Sequence, residues 1–262
     1  MNQPPGQATR CHLMVRGLPV ATAAAVLGVW WAATGWLGVV DPFFLPSPVD
    51  IWAAAARLPG YLLRQTWVTL AVILAGFAIA TAVGILVAVA MAASRHVEAA
   101  VLPLLLWVNS IPKVAVAPLL IAWLGFGPAP RVVLVVTICV FPVVISTHAG
   151  LTGTPAELTE LARSLCAPGW VTFVKIRLPW ALPQMFVGLK LAVTLAVIGT
   201  VVAELTNPDE GLGAVIQQAS SMSDTALSYT AIILLGLIST VLYYTVVGAE
   251  RLLLPWAAET TG

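Results

Sequence analysis

Charge is the scarcest thing in this 262-residue chain: Asp, Glu, Lys and Arg together make up 9% of it. A soluble domain carries roughly a quarter charged residues, so a water-soluble fold is excluded on composition. Cysteine is sparse as well. Cys11, Cys139 and Cys166 are scattered and odd in number, so they build no disulfide framework; Cys11 and Cys139 read as small apolar packers. No Lys/Arg cluster and no Cys/His spacing suited to a metal occurs, and a net charge of +1 points to no nucleic-acid partner. There is no G-x4-G-K-[ST] phosphate loop, so the chain does not bind ATP by that route, and no H-E-x-x-H. His12, His96 and His148 share no helical face with carboxylates, and Ser146 and His148, two positions apart, do not meet on a helix. An intramembrane enzyme is therefore the weakest class. Neither an internal repeat nor a low-complexity linker appears, which suggests one domain.

Apolar residues fill that space: 60% of the chain is hydrophobic and the mean hydropathy is +0.98. A membrane helix needs about 20 mostly apolar residues, and about six stretches qualify. They run over approximately 18–40, 67–93, 101–124, 132–147, 182–205 and 229–254. Arg10 and Arg16 precede the first, but its apolar run is too long for a signal peptide, and it reads as a retained helix. The fold class expected is an all-α integral membrane protein. Placing both termini in the cytoplasm puts Arg10, Arg16, Arg95, Arg163, Lys175, Arg177 and Arg251 inside, and only Arg57, Arg64 and Arg131 outside. That asymmetry follows the positive-inside rule. The outer connection 206–228 carries Asp209, Glu210 and Asp224 and no Lys or Arg.

The proline-rich run 41–48 is too constrained for a helix. Ser47 then caps a short helix with Pro48 at its first position. Val49, Ile51, Trp52, Ala55 and Ala56 give that helix an apolar stripe, suited to lying along the membrane surface as a platform for a partner or as a lid.

Between the fourth and fifth spans lies a polar island, 148–178. Thr154-Pro155-Ala156-Glu157 predicts a helix start with Thr154 and Glu157 in a capping box and Pro155 at the first helical position. The helix runs to about residue 165, with Leu158, Leu161, Ala162 and Leu165 on one face. Pro168-Gly169 ends it; a second short helix presents Trp170, Phe173 and Ile176 until Pro179 closes it. Helices this short are marginal in water, so the stripe rests on its own chain or on a partner. The turn 166–170, with its proline, glycine and exposed aromatic, favours a partner.

Polar groups inside the spans are costly and face the bundle interior or water. Lys113 follows Asn109, Ser110 and Pro112, where the proline frees carbonyls that the neighbouring polar side chains can satisfy. With Pro103 and Pro118 the third span is bent. Lys113 suits a pathway lining or a pairing with a carboxylate or carbonyls; Lys190 lies nearer the inner side and can snorkel. Glu204 is the nearest carboxylate to serve as mate or gate.

The island resembles the cytoplasmic loop by which ABC importer permeases engage their ATPases, E-A-A-x3-G-x9-I-x-L-P. Glu160, Ala162, Ile176, Leu178 and Pro179 fall in register, while Leu161 replaces the first Ala and Cys166 the Gly. The resemblance extends to Leu45-Pro46-Ser47-Pro48, to the run from Ile111 to Leu119, to Trp123-Leu124-Gly125-Phe126-Gly127 and to Gly211-Leu212-Gly213. Jointly these are similar to the nitrate/sulfonate/taurine branch of those permeases, over about residues 40–255. The resemblance implies a type I importer fold at 18–255 between cytoplasmic tails at 1–17 and 256–262, in the bacterial plasma (inner) membrane and in contact with its lipid. It further implies a second permease copy, a cytoplasmic ATPase dimer that alone holds ATP and Mg, an extracytoplasmic solute-binding protein, and no cofactor on this chain. The docking loop then maps to Glu157, Glu160, Leu161, Ala162, Cys166, Ala167, Gly169, Trp170, Ile176 and Pro179, and the translocation pathway to Asn109, Lys113, Lys190 and Glu204. Where the family has a glycine able to turn left-handed, Cys166 withdraws that freedom, and Gly169 is expected to supply the reversal. The implied substrates are sulfonates, nitrate, aromatic carboxylates or vitamin precursors. An ion-coupled transporter or channel is the alternative; it predicts more intramembrane carboxylates and no docking loop.

Overall fold

A computed structural model describes residues 21–22, 24–36, 41 and 43–256. The tail expected at 1–17, all but Trp256 of the tail expected at 256–262, and the rest of the first span lie outside the described residues, as does Cys11. The described residues are almost wholly helical, with no strand among them. Their elements are α1 (Ala24–Gly35), α2 (Pro48–Arg57), α3 (Pro59–Ala93), α4 (Arg95–Ser110), α5 (Lys113–Leu124), α6 (Pro128–Thr152), α7 (Ala156–Ser164), α8 (Gly169–Thr172), α9 (Leu178–Thr206), α10 (Leu212–Ser221) and α11 (Thr225–Leu253). Four of these runs (α3, α6, α8 continued through α9, and α11) are long and apolar enough to cross a membrane, five if α4 and α5 count as one span.

The third span is where the structure departs most from expectation. It is two helices meeting at 93°, not one bent helix. Pro112 cannot donate to the ladder of α4, so the chain stops at Ile111 and restarts at Lys113. The ends are then closed locally. Ser110 Oγ donates to Leu106 O (2.9 Å), and the Lys113 ammonium donates to the Asn109 carbonyl and to its Oδ1, the latter at 2.6 Å.

The chain divides into two compact units. Of the described residues, the first holds those up to Pro59 and 219–230. Here Ser47 Oγ accepts from the Asp50 N–H (3.2 Å) and Asp50 Oδ2 accepts from the Ser47 N–H (3.2 Å), so the cap expected for α2 forms as a reciprocal box. Of the apolar residues of α2, Ile51 and Ala54 are buried, while Val49 and Trp52 are exposed. Tyr229 Oη donates to Phe44 O (3.1 Å) and Thr230 Oγ1 to Ile51 O (3.2 Å), which fixes the proline-rich run and α2 to the first turns of α11.

The second unit, among the described residues 60–218 and 231–256, is built around α6 and α9, whose pairing is the most extensive among the described elements. Small residues make it possible, as membrane helices without a hydrophobic drive toward one another pack by close backbone approach. Gly150 faces Ala181, Gly188 faces Ser146, and Gly199 faces Ile138, an antiparallel run. Gly76 and Gly84 of α3 receive Val135 and Val143 of α6 in the same way. Cys139 is fully buried between α6 and α9, its thiol donating to Ala192 O (3.2 Å). A Cβ at Gly188 lies 2.6 Å from Ser146 Cβ and 2.9 Å from the Pro142 carbonyl. Gly188→Ala is therefore expected to destabilise by about 1–3 kcal/mol through overpacking, read as a lower melting temperature in detergent. Gly236→Ala, with nothing within 4 Å, should melt with the wild type or slightly above it; equal melting for Gly188→Ala would mean that α6 and α9 are packed less closely than described.

Candidate functional site

The polar island begins where α6 ends. Gly153 caps that helix through its N–H to Ala149 O (2.9 Å). The capping box expected at Thr154 and Glu157 does not form. Thr154 Oγ1 turns back to Leu151 O (3.4 Å), and α7 starts at Ala156 behind Pro155 without a side-chain cap. The carbonyls orphaned at the end of α6 take the hydroxyl that the N-terminus of α7 would have used.

In α7 the apolar stripe is split. Ala162 is buried at 3% exposure, Leu158 is half-buried, but Leu161 (56%) and Leu165 (71%) stand exposed. Glu157 and Glu160 are exposed too. The helix closes with the Ala167 N–H on Ala162 O (3.0 Å) and the Cys166 N–H on Arg163 O (2.9 Å). This is a Schellman motif, whose penultimate residue must turn left-handed. Cys166 does so, at φ 51°. The expected division of labour is thus corrected: Cys166 makes the reversal itself, and Gly169 begins α8. A side chain in that region costs about 1–2 kcal/mol, partly offset by the entropy glycine loses on folding. Cys166→Gly is expected to raise stability by about 0.5–1 kcal/mol, checked by thermal melting; an unchanged or lower midpoint would count against a strained turn.

Past the turn, Trp170 is 70% exposed, beside Cys166 and Gly169, which are also open. Ala167, Ile176 and Pro179 are half-buried. Phe173 packs on Leu151, Ala181 and Met185, so Trp170 and Phe173 do not share one environment. Pro179 does not close the second helix, contrary to expectation. Residues 173–177 widen into a turn in which the Leu178 N–H reaches back to Phe173 O, and the helix continues through Pro179 and Pro183 to Thr206. Widened turns relieve the clash a proline ring makes with the preceding turn.

Asn109, Lys113, Lys190 and Glu204, the polar residues singled out in the spans, each have a partner. Lys113 and Asn109 bond to each other, as described. Lys190 Nζ lies 2.6 Å from Glu250 Oε2, with both side chains about a fifth exposed (22% and 21%). Glu204, expected as a mate for a lysine or as a gate, is fully buried and bonds to neither lysine. It accepts from Thr69 Oγ1 (2.8 Å) and from the Gly213 N–H (2.8 Å); Thr69 Oγ1 in turn accepts from the Leu212 N–H (2.8 Å), and Gln65 Oε1 from the Gly211 N–H (2.6 Å). Arg131, 4% exposed, holds the same turn from α6, donating to Glu210 O (2.9 Å) and Asn207 O (3.3 Å). Gln65, Thr69 and Arg131 were not singled out from the sequence. The signal was there for two of them: Gln65 and Thr69 are polar positions four apart at the start of an apolar run, hence on one helix face. Among the described residues no three His, Cys, Asp or Glu side chains stand close enough to hold a metal ion.

Comparison with known proteins gives this geometry its setting. Residues 80–258 match the family model described as binding-protein-dependent transport system inner membrane component. The chain is 36% identical to the riboflavin transport system permease protein RibX of Chloroflexus aurantiacus, over 93% of this chain and 91% of that one. It is 32% identical to the putative aliphatic sulfonates transport permease protein SsuC of Bacillus subtilis, over 91% and 87%. In fold it resembles a chain of the MetNI methionine ABC transporter in an inward-facing conformation, with a TM-score of 0.66, 18% identity, and coverage of 74% of this chain and 97% of that one.

Proposed function

The chain belongs to the family of binding-protein-dependent transport system inner membrane components, and from that membership we propose how it couples and what it carries. It is the multi-pass permease subunit of an ABC importer of the bacterial inner membrane, and ATP hydrolysis belongs to a separate subunit. The proposed coupling element is the 154–179 segment, docking on a dimer of that ATPase from the cytoplasmic side, where both termini also lie. Two permease copies enclose the pathway, with Asn109, Lys113 and Lys190 as the polar residues proposed for it; Glu204, expected there too, is instead fully buried against Thr69 and Gly213. A solute-binding protein delivers the cargo from outside.

One observation carries the docking assignment: Leu161, Leu165 and Trp170 are exposed around the left-handed turn at Cys166. Exposed aromatic and aliphatic anchors clustered on a fixed turn are the features of an interface centre. The proposed cargo is a small polar or anionic organic solute, the class that the names of relatives specific for riboflavin and aliphatic sulfonates suggest. Ion-coupled transport without an ATPase is less supported, because the buried acid Glu204 is already engaged by Thr69 and Gly213. The test is to purify the tagged chain from gently solubilised native membranes. An ATPase recovered in equal amount, with vanadate-sensitive hydrolysis, is expected; a chain recovered alone and inactive would overturn the proposal.

A further inference from the structure

Arg177 stands where three hollows of the second unit meet. One, of about 800 Å³, is lined by Arg95, Glu98, Thr152, Thr154, Thr159 and Arg177, with Met91 and Leu102 in its wall. A second, of about 240 Å³, adds Arg163. The third, of about 430 Å³, is apolar: Val89, Ala92, Ala93, Leu151 and Phe173 surround the Arg177 stem. Together they offer cations and hydroxyls at one end and a greasy recess at the other.

The cations are unspent. Arg95, Arg163 and Arg177 enter no ion pair among the described residues, and the Glu98 carboxylate approaches His148 Nε2 (3.5 Å) instead of an arginine. Position matters as much as charge. α3 ends at Ala93 and α6 at Thr152, both helices apolar enough to cross a membrane, so the arginine-lined mouth lies just past helix ends, where lipid headgroups lie. Basic pockets between membrane helices bind anionic headgroups, and a free anion would have no use for the apolar recess.

We infer that this cleft binds an anionic phospholipid, its phosphate held by Arg95 and Arg177 with the threonine hydroxyls, and an acyl chain laid along Val89, Leu151 and Phe173. The bound lipid fills the space between the end of α3 and the start of the α7 segment. It thereby ties the polar island to the bilayer.

The experiment uses the native assembly in mild detergent, loaded with phosphatidylglycerol or phosphatidylcholine and read by native mass spectrometry as the lipid retained per permease. Phosphatidylglycerol is expected to be retained, phosphatidylcholine not. Arg95→Gln/Arg177→Gln should weaken retention by about thirtyfold, and each single variant by about fivefold. Arg95→Lys/Arg177→Lys should keep most of it, and Arg251→Gln, which removes a cation from the end of α11, should change nothing. Equal retention by wild type and the glutamine double variant would overturn the site, as would equal retention of the two lipids. Displacement of phosphatidylglycerol by inorganic phosphate alone would make it a free-anion site instead. Lipid bound only after the ATPase is stripped away would identify the cleft as part of the protein interface.

Discussion

Trp170→Ala is expected to weaken recovery of the ATPase with the permease by about thirtyfold while leaving the permease itself intact. An interface anchor of this type is worth about 2 kcal/mol or more when truncated, and 1.4 kcal/mol is a factor of ten. The side chain is 70% exposed and makes no side-chain hydrogen bond among the described residues, so its removal should change the melting temperature little; surface substitutions of this kind cost about 0.5 kcal/mol at most. Leu165→Ala, also on the exposed tip, should act in the same direction, and Glu160→Ala should weaken docking without disturbing the fold. Leu252→Ala, at an exposed position in the last turn of α11, should leave association unchanged. Undiminished ATPase recovery with Trp170→Ala, at normal expression, would remove the 166–170 turn from the interface.

The second large effect concerns stability. Glu204→Ala leaves the Thr69 hydroxyl and the Gly213 N–H without their acceptor in a fully buried place. Each orphaned donor costs about 1–3 kcal/mol, so a loss of about 3–5 kcal/mol is expected, with cavity formation adding to it. Gly211→Ala attacks the same clasp from the turn. Its Cβ would overlap the Glu204 carboxylate, lying 2.6 Å from Oε2 and nearer still to Oε1, at a backbone φ of +103° that side chains avoid. Both variants should melt at a lower temperature than the wild type. A Glu204→Ala protein melting within a degree or two of wild type would mean that the turn is held by Arg131 and Gln65 alone.

These two sites mark the edge of what the chain discloses locally. Five of the six expected spans, counting α4 with α5 as one, were legible because each is an apolar run of sufficient length; of the first, 18–40, only 21–22 and 24–36 are among the described residues. Their ends were placed too tightly because the helices run on past the apolar stretch: α3 starts at Pro59, well before Trp67, and α6 continues to Thr152. The resemblance at Glu160, Ala162, Ile176 and Pro179 reached the right family. The shape of that segment was another matter. Helix signals at Thr154 and Pro179 are propensities, and both yielded to neighbours: the end of α6 claimed the Thr154 hydroxyl, and a widened turn absorbed Pro179. Cys166 turned left-handed against its own preference because the closing bonds to Ala162 and Arg163 demand it there.

Pairings across the chain left no local trace. Thr69 shares a legible polar face with Gln65, but nothing near it names Glu204, 135 residues on, as its partner, and Lys190 finds its carboxylate at Glu250, in the last turns of α11. Arg131 is a different lesson. It was counted as a charge outside the membrane, yet it is buried and spent on the carbonyls of Asn207 and Glu210. Its position is set by that turn.

The central claim is that the turn at Cys166 touches an ATPase, and the chain carries its own reporter for it. Cys166 is exposed and Cys139 is buried, so with Cys11 replaced by serine a short thiol-directed photo-crosslinker should load at the turn alone. Irradiation of the loaded chain in native membranes is expected to join it to an ATP-binding subunit, and Trp170→Ala should reduce that product. Crosslinks confined to the permease itself or to lipid, in membranes where transport is active, would contradict the account.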